Sequence, residues 1–195
     1  MSKTRKSESS FLVQGSILAA ASIISRVIGL LYRIPLKSII GDIGNDYYGT
    51  AMEIYSILLL ISSYSLPLAV SKLVSARTAK GQKKNAYRIF KGALLFALIS
   101  GTVSGLLLFF GARFITTYVV KTPLSIFALQ CMAPTLLIVA VLGVFRGFYQ
   151  GMGTMMPSAL SQLLEQLVNA GVSVAVAYHL YQSGSRLGAV LGSSA

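Results

Sequence analysis

Long uncharged apolar runs, separated by short clusters of Lys and Arg, dominate this sequence and leave few folds open to it. The stretches at about 11–36, 47–74, 89–110, 124–145 and 157–180 each approach or exceed the roughly 20 residues that a helix needs to cross hydrocarbon. They run continuously apolar and do not alternate in polarity, so they do not read as strands of a transmembrane barrel. The expected fold is an all-α, polytopic integral membrane helix bundle with five complete spans. A small, Gly-rich apolar segment at 187–195 reads as the start of a sixth, because its nine residues rise only about 14 Å as helix. That end is read as either interfacial or the edge of a fragment.

Charge decides the next question. Of the 195 residues, 54% are hydrophobic and only 11% charged, yet the net charge is +12. On a soluble domain such an excess would point to nucleic acid. A mean hydropathy of +0.72 excludes that domain, and no nucleic-acid partner is expected. The cations lie between the spans, as they do in the cytoplasmic loops of membrane proteins. Residues 1–10 form a basic tail with Lys3, Arg5 and Lys6, and the run after it is too long for a signal-peptide core. Lys72, Arg77, Lys80, Lys83, Lys84, Arg88 and Lys91 make the densest cluster. Placing both on the cytoplasmic side of a plasma membrane puts two spans between them. Residues 146–156 then also fall inside, and 113–122 and 182–186 outside. A single cysteine, Cys131, cannot form an internal disulfide and reads as a small apolar core residue.

Ionisable and polar groups within the spans are costly in hydrocarbon, which makes them functional candidates. On the first span Ser22, Ser25, Arg26, Gly29 and Arg33 fall on one helical face, which should meet a cavity or another helix. Arg26 lies about 3 Å from the middle of that span and Arg33 about 14 Å, where it can also snorkel to the interface. On the fifth span Ser158, Gln162, Glu165, Asn169 and Ser173 form a second stripe, whose amides and hydroxyls also suit plain interhelical hydrogen bonding. Counted from the cytoplasmic ends, Arg26 is about 22 Å deep and Glu165 about 12 Å, which argues against a direct pair. Glu165 is left to face cavity water, to titrate, or to pair with Arg146. Pro67 and Pro134 should kink or break the second and fourth spans and serve as hinges. Gly101 and Gly105, like Gly188 and Gly192, match the small-xxx-small packing pattern.

Nothing points to catalysis. No His, Cys and carboxylate set has ligand spacing, no Gly-x-Ser-x-Gly elbow is present, and the Gly-rich segments lack the Lys and Ser/Thr of a P-loop. The expectation is a non-enzyme without metal or cofactor.

Five strings carry a resemblance: Ser25-Arg26-Val27-Ile28-Gly29, Asn45-Asp46-Tyr47-Tyr48-Gly49, the segment Pro67 to Lys72, the segment Arg146 to Gly151, and the segment Met156 to Gln166. Together they resemble the multidrug/oligosaccharidyl-lipid/polysaccharide exporter superfamily. Within it they are most similar to the Gram-positive polysaccharide biosynthesis branch, which includes stage V sporulation protein B and the MurJ-like lipid II flippases. The resemblance extends from Phe11 to Ala195. It implies two pseudo-symmetric lobes around an alternating, often cationic cavity, of which this chain would be the N-terminal lobe. A C-terminal lobe or a second copy of the chain would supply the other. It also implies an undecaprenyl-pyrophosphate-linked glycan as cargo and membrane lipids as surroundings. The first-span arginine of the family falls on Arg26, a second on Arg33 with a one-residue slip, and the loop acid on Asp46. Asn169 stands where the branch often has a basic residue.

The expected function is therefore movement of a lipid-linked oligosaccharide or lipid II-like peptidoglycan precursor from the cytoplasmic to the outer leaflet, for cell-wall or polysaccharide synthesis. The substrate-binding candidates are Arg26, Arg33, Asp46, Glu165 and Asn169. Two other functions compete. A cation/drug antiporter of the same superfamily would favour an acidic cavity, and a non-transporting scaffold for wall synthesis would tolerate substitution of Arg26 and Glu165.

Overall fold

A computed structural model describes residues 2–62, 65–122 and 125–182. Among them every element is helical: α1 (Ser2–Leu31), α2 (Arg33–Ser62), α3 (Leu66–Ala79), α4 (Lys83–Phe114), a π-helical turn (Ile115–Val119), α5 (Ser125–Gly151) and α6 (Met156–Gln182). The 187–195 segment, with Gly188 and Gly192, lies outside the described residues.

The protein is an all-α membrane helix bundle. Three stretches, Val13–Ile39, Lys83–Val119 and Ser125–Gly151, are long and apolar enough to cross a bilayer. Their large side chains are largely exposed, among them Leu95, Phe96, Ile99 and Phe110 on α4. In water that surface would be a liability, whereas lipid tails solvate it at no cost. Cys131, expected in the core, belongs to the same exposed surface. Position on a helix, and not residue size, decides its burial.

The span boundaries shift where backbone geometry overrides hydropathy. The first rod does not stop near residue 36. Tyr32 and Leu36 N–H groups still donate to the Ile28 and Tyr32 carbonyls, and the break comes at Gly41, with φ 71° and ψ −179°. That region is essentially reserved for glycine, because a Cβ there meets the backbone. Gly41→Ala is expected to cost about 1–3 kcal/mol, read as a lower Tm of the purified protein with its helix content unchanged. The described residues of the expected 47–74 span fall in two helices. α2 ends at Ser62, and α3 restarts with Pro67 in its first turn, where a missing N–H does no harm. Proline does not break α5, which runs through Pro134 as one helix. The third helix outlasts the expected 89–110, extending through Arg113 into the π-helical turn. Arg146, expected in a loop, lies inside α5, because a partner on α6 offsets the charge that was taken to end the span.

Glycine sets the tightest packing. Along the parallel α3 and α5, a Cβ on Gly147 would sit 2.5 Å from the Pro67 carbonyl oxygen, and one on Gly151 2.7 Å from that of Ser71. Along the antiparallel α4 and α5, a Cβ on Gly101 would sit 2.9 Å from Leu137 Cα, and one on Gly105 3.0 Å from the Ala133 carbonyl oxygen. Backbones that close gain dispersion contacts on both sides, which is the main attraction available to helices in lipid. The α3–α4–α5 group is filled by Val70, Val74, Ala97, Ala140 and Val144, with Phe90 stacked among them. A second cluster joins α2 to this group around Ala51, Leu129 and Leu136.

Candidate functional site

α1 and α6 run parallel and are joined by polar side chains. Ser22 and Gln162 hydrogen-bond at 3.1 Å, a Cβ on Gly29 would lie 3.5 Å from Gln166 Oε1, and Asn169 Nδ2 reaches Tyr32 Oη at 3.5 Å. Just before the start of α6 and well inside α1, the Met155 N–H donates to Gln14 Oε1 at 2.7 Å. Ser25 Oγ is buried on this contact line with no hydrogen-bond partner among the described residues. The stripe expected on α1 thus faces α6 through its serines and its glycine. The small residues let the helices approach, and the amides would be orphaned in lipid without each other.

Between this pair and the α3–α4–α5 group lies a cavity of about 760 Å³, walled by α2, α5 and α6. Its lining is apolar over much of its area, from Met52, Leu59, Ile138 and Val168 among others. Against that wall stand Arg146, Glu165, Gln166, Asn169, Ser173, Thr135 and Tyr55. Tyr55 and Thr135 are hydrogen-bonded across α2 and α5 at 3.1 Å. The last turn of α2 and the first turn of α3 also border the cavity, through Leu59 and Pro67.

Arg146 and Glu165 form an ion pair across the cavity's α5–α6 edge. Arg146 Nε donates to Ser161 Oγ at 2.9 Å, Ser161 Oγ donates to the Ser158 carbonyl at 2.9 Å, and Ser158 Oγ donates back to the Arg146 carbonyl at 3.3 Å. Of the outcomes open to Glu165, pairing with Arg146 is the one observed. The polar stripe on α6 therefore splits, with Gln162 and Asn169 turned to α1 and Ser158 and Glu165 to α5.

A second cavity of about 600 Å³ lies beyond the first, lined by Arg33, Asn45, Tyr48, Gly49, Glu53 and Ser56 among others. Tyr48 and Met52 line both, so the two adjoin. Arg33 stands close enough to Tyr48 to act on its hydroxyl electrostatically. Arg26, seven residues earlier, shares the flank of the helix that carries Arg33. Both arginines are exposed, and no hydrogen bond or ion pair reaches them among the described residues. Asp46 is exposed and lines neither cavity, whereas its neighbour Asn45 does.

The expected depth mismatch between Arg26 and Glu165 is overturned. From the Gln14–Met155 contact Arg26 is about 18 Å along its helix and Glu165 about 15 Å, so the two lie within about 3 Å in height. The error came from counting both spans from their hydrophobic starts, when α1 begins well before the level at which α6 does. Glu53 was passed over although it lies inside the expected 47–74 span. Its spacing of four from Gly49 and three from Ser56 places it on the polar face of α2. Among the described residues no group of His, Cys, Asp and Glu is arranged to hold a metal ion.

The family model described as polysaccharide biosynthesis protein matches residues 12–195. The chain belongs to the polysaccharide biosynthesis protein family. Three relatives from Bacillus subtilis (strain 168) are each 29% identical to it. They are the uncharacterized membrane protein YabM, over 88% of this chain, the lipid II flippase MurJ, over 82%, and stage V sporulation protein B, over 81%. The match spans only 30 to 31% of each relative's length. No solved structure matches the chain. Within this polysaccharide biosynthesis protein, the strings shared by sequence resemblance converge in space. The Arg146–Gly151 and Met156–Gln166 segments meet at the ion pair, and the Ser25–Gly29 segment packs on the latter.

Proposed function

We propose that this polysaccharide biosynthesis protein takes part in flipping a lipid-linked glycan, an undecaprenyl pyrophosphate carrying a sugar headgroup, across the plasma membrane. The observation that carries the reading is the two-part cavity inside a lipid-exposed bundle, with Arg33 in its lining and Arg26 on the same flank of the same helix, neither with a carboxylate partner among the described residues. A pyrophosphate diester needs cationic donors in a site of low dielectric, where charge-assisted hydrogen bonds are strong. Arg26 supplies the first contact and Arg33 a second, nearer the far end. Asn169, Glu165 and the tyrosines offer the hydroxyl- and amide-bonding groups that a glycan requires. Asp46, beside Asn45 of the second cavity, is the acid that the family resemblance assigns to the site. Pro67, beside the α2–α3 break, is the hinge, and Pro134 softens α5 opposite it. The cluster from Lys72 to Lys91 faces the cytoplasm with the N-terminus, and a second lobe, C-terminal or from another copy, closes the open side.

The relatives' names support transport of a cell-envelope precursor over catalysis. The test uses the chain in vesicles with a fluorescent undecaprenyl-pyrophosphate-linked glycan and a membrane-impermeant quencher. Binding, and appearance of the headgroup in the opposite leaflet when the second lobe is supplied, is the expected result. Absence of both binding and movement refutes the reading.

A further inference from the structure

The first cavity is lined by Arg146, whose charge is already paired. Arg146 sits on α5 and Glu165 on α6, and these helices otherwise touch along little of their length, whereas α1 and α6 adhere throughout. The pair is therefore one of the few ties between the α3–α4–α5 group and the α1–α6 pair. It is built unevenly. The Arg146 side chain is 19% exposed and keeps its hydrogen bond to Ser161 even without the carboxylate, whereas the Glu165 side chain is 41% exposed to the cavity. Glu165 can leave into water, and Arg146 stays in place. The pair lines the cavity itself, so an anion that enters the cavity meets both of its members.

We infer that the Arg146–Glu165 pair is a latch, opened when a phosphate anion entering the cavity displaces Glu165 from the Arg146 guanidinium. Resting on the proposed flippase reading, this adds Arg146 as a reserve phosphate ligand and makes Glu165 its competitor. A guanidinium binds carboxylate and phosphate through the same fork of donors, so one replaces the other without rearrangement of the arginine. Displacement removes the charged part of the tie between the two helix groups and leaves the Ser161 and Ser158 hydrogen bonds in place. Loading the cargo thereby loosens their contact.

The test measures binding of inorganic pyrophosphate to the whole chain in phosphatidylcholine nanodiscs. Removing the competitor by Glu165→Gln should tighten binding about tenfold, equivalent to about 1.4 kcal/mol. Arg146→Gln should weaken it. Adding Glu165→Gln to Arg146→Gln should bring no tightening, because the effect runs through Arg146. A second readout is labelling of Val139→Cys, in the cavity wall, by an impermeant maleimide in a Cys131→Ser background. Labelling should accelerate with pyrophosphate or with Glu165→Gln, and return to the slow rate in the reversed pair Arg146→Glu with Glu165→Arg. Equal affinity for the parent and Glu165→Gln, or equal tightening with and without Arg146, overturns the latch. Acceleration in phosphatidylglycerol nanodiscs without pyrophosphate assigns the trigger to bilayer phosphate and overturns its link to cargo. Arg26→Gln separates the two ideas. If it abolishes pyrophosphate binding while the pair variants change nothing, the flippase reading stands and the latch falls.

Discussion

Gly147→Leu is expected to disrupt the bundle more than any other single substitution. Its Cβ alone would stand 2.5 Å from the Pro67 carbonyl oxygen and 3.0 Å from Val70 Cβ, and neither is the end of a flexible side chain. The first is backbone in the opening turn of a helix, and the second is a branched residue locked in the core. α3 has to move away from α5. Overpacking of a close-packed core costs about 1–3 kcal/mol where side chains can adjust, and more where backbone must shift. Gly147→Ala should fall in that range, and Gly147→Leu above it. Measured in detergent, the alanine variant should lose several degrees of Tm, and the leucine variant should elute as aggregate. Leucine at Gly171, where a Cβ meets nothing within 4 Å, is the matched control and should be tolerated. An unchanged Tm for Gly147→Leu would mean that α3 does not pack on α5 as described.

Arg26→Ala carries the largest functional effect. The proposed headgroup contact is charge-assisted and lies in hydrocarbon, so its loss should reduce glycan binding by a factor of ten or more, at about 1.5–3 kcal/mol for a hydrogen bond to a charged group. Arg26→Lys keeps the charge but loses the planar fork, and should retain part of the binding. Stability should not fall, because the side chain is exposed and holds no other element in place. The measurement is quenching of the labelled lipid-linked glycan against Tm for the same preparations. Parent-level binding by Arg26→Ala would remove Arg26 from the site.

The architecture was legible in the sequence because the bilayer imposes a length and a polarity on each crossing. The apolar runs read as five spans, among which three stretches of the described residues are long and apolar enough to cross a bilayer, and the two polar stripes of α1 and α6 were recognised before their partners were known. What the runs could not encode was register. The contact of Gln14 with Met155 sets α1 against α6, and no count from a hydrophobic boundary finds it. Arg146 was assigned to a loop because hydropathy scores one residue at a time, whereas the pairing that keeps it in α5 lies nineteen positions away. Glycines behaved in the opposite way. Gly101 and Gly105 were visible as a packing motif, while the tighter approaches at Gly147 and Gly151 were hidden by their appearance as part of a conserved-looking string at a span's end.

The end of α2 and the start of α3 bear on the medium around the charges. The last carbonyls of α2 have no N–H one turn further on within their own helix, and Pro67 contributes no donor of its own. Such groups are satisfied by water when a cavity supplies it, and Leu59 and Pro67 bring these two helix ends to the cavity wall. Water admitted to meet them would raise the local dielectric, so the self-energy of an ion inside the bundle would fall well below its value in hydrocarbon. On the proposed flippase reading, a charged headgroup would then have its least costly path along that wall.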